Sequence, residues 1–329
     1  MADKEVRKQL VVYLKKVPTA QSVGEIRQGL PVLKEIPERT LRRWLDAAVG
    51  EGEVIRTGEK RGTRYIGVPT PEIPNFAFLE SYTAPERQTI MQSLRGIWTH
   101  NSTALEGNTL TLGETEFILS EGLTISGHSV REHQEVVGHA SAIELLYRAL
   151  GSPIDFDTLH AMHKAVQTEV IHDIDKPYGA WKVQSNGTYA YSEGRRVYLA
   201  YAQPYEVPHL MTELVSFVNE AAHCQLRASQ AAACYAQVHV GFVHIHPYWD
   251  GNGRVSRLVA NIPLLRSGLP PVVIPKEWRK EYLSLLSEYE LTVGEVDRDT
   301  GLWPKPEMLA SFTEFIERCY TKTRELLSL

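Results

Sequence analysis

Twelve residues concentrate the side chains able to do chemistry: His246-Pro247-Tyr248-Trp249-Asp250-Gly251-Asn252-Gly253-Arg254-Val255-Ser256-Arg257. They lie between an apolar stretch, VHVGFVHI, and an amphipathic one, so a polar loop entering a helix is expected. Asn252 can cap that helix. Gly251 and Gly253 flank it and leave the first backbone N–H groups open to an anion. Arg254 and Arg257, three residues apart, project to one side of the helix and add charge-assisted donors for the same polyphosphate. Asp250 offers a hard oxygen suited to a Mg²⁺ ion that also takes phosphate oxygens and water. His246 is the group of this segment that can accept a proton near neutral pH. A base, a metal carboxylate and a phosphate cradle together describe phosphoryl or nucleotidyl transfer. His239 and His244, on or beside the apolar stretch, read as buried, hydrogen-bonded histidines in preference to zinc ligands.

Upstream, a helix beginning near Pro85 runs into His100-Asn101-Ser102-Thr103-Ala104-Leu105-Glu106-Gly107-Asn108. Glu106 is expected in its last turn, where a carboxylate opposes the helix dipole and so either tolerates a small cost or has a cationic partner elsewhere.

The first segment resembles the Fic motif, HPFx(D/E)GN(G/K)RxxR, with Tyr248 in place of the usual Phe. The second resembles the Fic inhibitory motif, (S/T)xxxE(G/N), filled by Ser102, Glu106 and Gly107. The resemblance, over roughly residues 75–329, implies a protein adenylyltransferase that moves AMP from ATP to a Ser, Thr or Tyr hydroxyl of a target protein or of itself. It makes His246 the base, Asp250 the Mg²⁺ ligand, and Asn252 and Arg254 the grip on the phosphates. It also makes Glu106 the partner of Arg257, an ion pair that keeps the γ-phosphate out of its productive place. Tyr282 resembles an aromatic residue near the adenine, and reads equally well as a core tyrosine. Other Fic specificities remain open alternatives: UMP or phosphoryl transfer, or AMP removal with Glu106 positioning water.

The elements that must position these groups are mainly helical. Helices are expected over about 85–106, 112–121, 129–149, 157–168, 208–222, 227–243, 252–266, 276–290 and 307–328, with capping boxes at Thr111/Glu114 and Ser129/Glu132. Residues 181–201 break the helical pattern as a β-hairpin, which takes the place of the family's flap, the element that docks a target segment as an added strand.

Residues 1–68 read as a winged helix-turn-helix: helices over 4–16 and 38–49, a third around SVGEIRQGL, and a hairpin across Gly58–Gly62. This piece carries 14 Lys/Arg against 9 Asp/Glu, while the remainder carries 21 against 31. Arg39, Arg42, Arg43, Lys60, Arg61 and Arg64 form either a phosphate-contacting face for DNA or a solvated basic surface. A DNA-binding regulator using the Fic domain as a sensor is therefore the rival class of function. Prolines at 69, 71 and 74 mark a linker over 69–75, leaving 76–329 as the Fic domain.

Of the 329 residues, 43% are apolar, enough for an ordinary buried core, and three are cysteines without a CxxC pair. No window has the length of a membrane span and no signal-peptide pattern opens the chain, so a cytoplasmic protein is expected. A homo-oligomer is compatible with this pattern, which does not fix it.

Overall fold

A computed structural model describes residues 2–327 apart from 18, 35, 51–53, 59, 68–75, 168–173 and 193. The expected linker over 69–75 lies outside the described residues. The chain forms two compact units, Met1–Glu72 and Ile73–Leu329.

In the smaller unit, α1 (Ala2–Lys16), α2 (Val23–Gly29) and α3 (Glu38–Gly50) precede the strands β1 (Val54–Thr57) and β2 (Arg64–Gly67), which pair antiparallel. Ser22 and Glu25 close a reciprocal capping box at the start of α2. Gln21 and Tyr65 exchange both backbone hydrogen bonds at 2.7 Å, which ties the segment before α2 to β2. Leu10, Leu14, Ile26, Leu41, Leu45 and Tyr65 fill a core of the unit's own. Part of the basic cluster is engaged within the unit: Arg42 pairs with Glu38 at 2.7 Å, and Arg64 with Glu25 at 2.9 Å. Arg39, Arg43 and Lys60 are exposed.

The larger unit runs α4 (Ala84–Ala104), α5 (Leu112–Glu121), α6 (Val130–Ala149), α7 (Phe156–Val166), β3 (Gly187–Ser192), β4 (Arg195–Ala200), α8 (Val207–His223), α9 (Ala228–Ile245), α10 (Asn252–Val259), α11 (Ile262–Arg266), α12 (Arg279–Val293) and α13 (Ala310–Leu326). The capping boxes at Thr111/Glu114 and Ser129/Glu132 form as expected. Helix α9 is apolar on nearly every side, from Ala231 to Ile245, and this makes it the axis of the unit. Around it α8 buries Leu210, Leu214 and Val218, and α13 buries Phe312, Phe315, Ile316 and Cys319, each a stripe of helical period.

Three boundaries differ from expectation. The helix expected over 252–266 is two helices, because Pro263 lacks the N–H that would continue α10. The Asn261 amide fills the break, donating to the carbonyls of Arg257 and Val272. Helix α4 stops at Ala104, so Glu106 lies in the turn beyond it rather than in its last turn. The hairpin is shorter than 181–201, because Lys182 and Asn186 commit polar groups to the loop after α9; Lys182 N–H donates to the Pro247 carbonyl at 2.8 Å and Asn186 Nδ2 to the Tyr248 carbonyl at 3.1 Å.

Helices α6 and α7 approach closely at Gly138, where an added Cβ would stand 2.2 Å from the Ala165 carbonyl oxygen. Gly138→Ala must separate the two backbones. It is expected to destabilise the larger unit by about 1–3 kcal/mol, read as a lowered urea midpoint.

Candidate active site

Helix α9 ends where His246 turns into the left-handed region, at φ 51° and ψ 59°. That conformation is uncommon for a residue with a Cβ and is found where surrounding contacts enforce it. The contacts are specific. The imidazole Nδ1 lies 3.1 Å from the Val243 carbonyl, and a carbonyl only accepts, so Nδ1 carries the proton and Nε2 keeps its lone pair. Tyr201 stacks on the ring at 3.8 Å with the planes 3° apart. Burial, with the Lys182 ammonium nearby, lowers the His246 pKa to about 3, which leaves the imidazole neutral across the physiological range.

From His246 the loop passes beneath a group of rings. Tyr248 is fully buried, stacked on His163 at 3.9 Å, and its hydroxyl meets His160 Nδ1 at 3.1 Å. His163 accepts at Nδ1 from the Gly179 N–H and faces the Asp250 carbonyl with Nε2 at 3.1 Å, so it fixes the backbone beside the acid. The sequence offered Asn252 as the cap of α10, and the structure corrects this. Gly251 at φ 77° is the N-cap, and the Asn252 amide instead closes the loop, accepting from Tyr248 N–H at 2.9 Å and donating to Tyr248 O at 2.8 Å. The carboxylate of Asp250 stays open to solvent on one side and accepts from the Gly251 N–H at 2.7 Å.

The start of α10 has the room an anion needs, and in this structure a carboxylate stands in it. A Cβ added to Gly253 would lie 2.5 Å from Glu106 Oε1. The same oxygen accepts from Arg257 Nη2 at 2.7 Å. Glu106 reaches this place from the turn after α4, where Gly107 at φ 102° redirects the chain and the Asn108 amide holds the turn to Glu132 and Glu135 of α6. Arg257 is nearly sealed from solvent, and Ser102 accepts from it twice, through Oγ at 3.0 Å and its carbonyl at 2.9 Å. Burial works against its charge, but Glu106 and Tyr282 outweigh burial, and its pKa is raised.

The two arginines do not meet one point. Arg254 donates to the Val166 carbonyl at the end of α7 at 2.8 Å, while Arg257 turns to α4. Tyr282 is in the core, the alternative to an adenine contact: it packs on His239 and Phe315, and its hydroxyl lies 3.3 Å from Arg257 Nη1. His239 and His244 are buried and hydrogen-bonded, the first to Tyr282 Oη and the second to the Gly294 carbonyl at 2.6 Å. Among the described residues no three His, Cys, Asp or Glu side chains form a metal cluster. A divalent ion at Asp250 would complete its shell from phosphate oxygens and water, which suits Mg²⁺.

The arrangement is a helical domain holding a neutral histidine near a helix N-terminus against which the Glu106 carboxylate is lodged. Residues 153–264 match the Fic/DOC family, and the larger unit carries a Fic domain. The chain is 34% identical over 215 residues to protein adenylyltransferase fic-1 of Caenorhabditis briggsae, covering 64% of this chain and 39% of that protein. It is 31% identical over 227 residues to protein adenylyltransferase Fic of Drosophila yakuba, covering 69% and 40%. The chain thus spans about two-fifths of the length of these curated relatives. In fold it is similar to a Fic domain containing signaling protein from Bacteroides thetaiotaomicron, with a TM-score of 0.66, 25% identity and coverage of 76% of this chain and 91% of that one. It also shares the fold of residues 134–508 of Fic-1 from Caenorhabditis elegans, at a TM-score of 0.54, 24% identity and coverage of 98% and 83%.

Lys182, Asn186, Tyr201 and His163 escaped the sequence reading, since none has a motif and each meets the loop only after folding.

The buried histidines give a pH dependence. Burial lowers His163 and His244 to about 4 and His246 to about 3, so below the unfolded value of 6.5 the unfolded chain binds protons that the native one refuses. Stability is therefore full above about pH 6.5 and falls as the pH drops from there toward about 4. Urea midpoints measured from pH 7.5 to 4.5 are expected to decline steadily, and a flat series would contradict the neutral histidines.

Proposed function

We propose that the protein transfers AMP from ATP to a hydroxyl of a target protein or of itself, and that it rests in an inhibited state set by Glu106. The observation that carries this reading is the Glu106 carboxylate lodged against Gly253 and Arg257, at the start of the helix that follows a histidine whose Nε2 keeps its lone pair. The names of the curated relatives support it.

The acceptor is a Ser, Thr or Tyr hydroxyl. Its oxygen attacks the α-phosphorus of ATP, its proton passes to His246 Nε2, and the bond from the α-phosphorus to pyrophosphate breaks. The Val243 carbonyl holds the imidazole in the tautomer that can take this proton. Backbone N–H groups at the start of α10 and the Arg254 guanidinium bear the negative charge of the phosphates. Arg254 exchanges its Val166 carbonyl for a phosphate when the nucleotide enters. Mg²⁺ held at Asp250 would neutralise charge on the leaving phosphates.

In the resting chain Glu106 takes from Arg257 the N–H that a γ-phosphate needs, and its charge repels the phosphate as well. Loss of Glu106 leaves Arg257 held by Ser102 and Tyr282, so the anion site opens already assembled. The outer edges of the two-stranded sheet β3–β4 fit the docking of an extended target segment, with Tyr201 just beyond β4 stacked on the base.

Glu106→Gly with ATP is expected to gain one or more AMP masses in intact-mass spectra, at least about tenfold faster than the parent chain. Adding His246→Ala is expected to abolish the gain. A Glu106→Gly chain that takes no AMP from ATP and transfers none to lysate proteins would overturn the proposal.

A further inference from the structure

Lys182 is 2% exposed, yet among the described residues its ammonium has no carboxylate within ion-pair distance. Burying a cation without such a partner is costly unless its donors are used, so the contacts it does make carry weight. Nζ donates to the Asn186 side-chain oxygen at 2.6 Å and to the Ile245 carbonyl at 3.2 Å. Ile245 is the last residue of α9, where carbonyls lack intrahelical partners and the helix dipole favours a cation. The next residue is His246, in its left-handed turn.

We propose that Lys182 is a positioning residue for the base: its ammonium caps the C-terminal end of α9 and locks the left-handed turn that aims His246. The rest of its segment acts in the same sense. Lys182 N–H donates to the Pro247 carbonyl, and Asn186 Nδ2 donates to the Tyr248 carbonyl at 3.1 Å, so residues 182–186 grip the chain at three carbonyls, those of 245, 247 and 248, on either side of His246. The histidine is the one link of this stretch left free to meet a substrate.

The charge has a second effect. His246 faces Lys182 from this strap, Asp250 from its own loop, the Tyr201 ring from the end of β4 and the Val243 carbonyl from α9. Lys182 in turn faces Glu295 beyond α12 and lies 5.9 Å from the centre of the Tyr201 ring. The ammonium disfavours a proton on His246 before the acceptor arrives, and burial lowers its own pKa to about 7.

The test uses the full chain in two arms. Its kinetic arm rests on the AMP-transfer reading. In a Glu106→Gly background, Lys182→Met is expected to lower kcat about 100-fold with KM for ATP changed less than about twofold, and Lys182→Arg to recover most of the loss. The second arm needs no activity: NMR titration of isotopically labelled imidazoles is expected to show the His246 pKa raised by about one unit or more in Lys182→Met and unmoved in Lys182→Arg. Should the Met variant not fold, Asn186→Asp replaces it, since a carboxylate beside Nζ offsets the same charge and is expected to raise the His246 pKa. An unchanged titration in the folded Met variant, or in Asn186→Asp, overturns the inference. So does an equal loss of kcat in the Arg and Met variants. Absence of AMP transfer with the titration shift intact would fail the transferase reading alone.

Discussion

A guanidinium taken almost wholly out of water must find an acceptor for each donor it buries, and Arg257 imposes that condition on the centre of this fold. Ser102 accepts from it twice, Glu106 once, and Tyr282 packs its hydroxyl against it. These partners come from the end of α4, the turn beyond it and α12, so one side chain dictates how three separate parts of the sequence meet α10. Ser102 and Tyr282 are buried and fixed, whereas the Glu106 side chain is 41% exposed. A screened partner contributes less to stability than a buried one, which makes the glutamate the contact most easily exchanged for another anion.

The second constraint is the reversal at His246. A left-handed residue between α9 and the loop turns the chain out of the core, and α10 starts only six residues later. Within that space the structure sets an imidazole, an acid and a helix N-terminus, and it holds them through backbone carbonyls more than through side chains. Lys182, Asn186, Asn252 and His163 each grip a main-chain carbonyl of this short stretch.

The candidate stretch was legible in the sequence because its pattern is local: His246 through Arg257 sit within one loop and one helix, inside the residues that match the Fic/DOC family. The helices were legible for a similar reason, since α8, α9 and α13 bury stripes or whole faces that repeat with helical period. What stayed hidden depends on distant partners. Asn252 has the composition of a helix cap, and only the folded loop shows that the Tyr248 backbone claims it. Arg254 and Arg257 share a helix side by their spacing, yet α7 and α4 draw them to different acceptors. Tyr282 could be placed on a helix, but its contacts with Arg257 and His239 come from distant elements and show only in the folded chain. The strap at 181–186 looked like part of a strand because its β-prone residues do not reveal that their hydrogen bonds go to a loop more than 60 residues away. The basic cluster of the smaller unit shows the same limit, since internal ion pairs engage Arg42 and Arg64.

The central claim is that Glu106 occupies the place of a phosphate. It is tested most directly by crystal structures of the parent chain and of Glu106→Gly, each with Mg²⁺ and a non-hydrolysable ATP analogue. The account requires the terminal phosphate of the variant to lie against Gly253 and Arg257, where the glutamate oxygen was, with Arg257 still bonded to Ser102. A terminal phosphate bound elsewhere in the variant while the space beside Gly253 stays open, or an identical phosphate position in both structures, would contradict it.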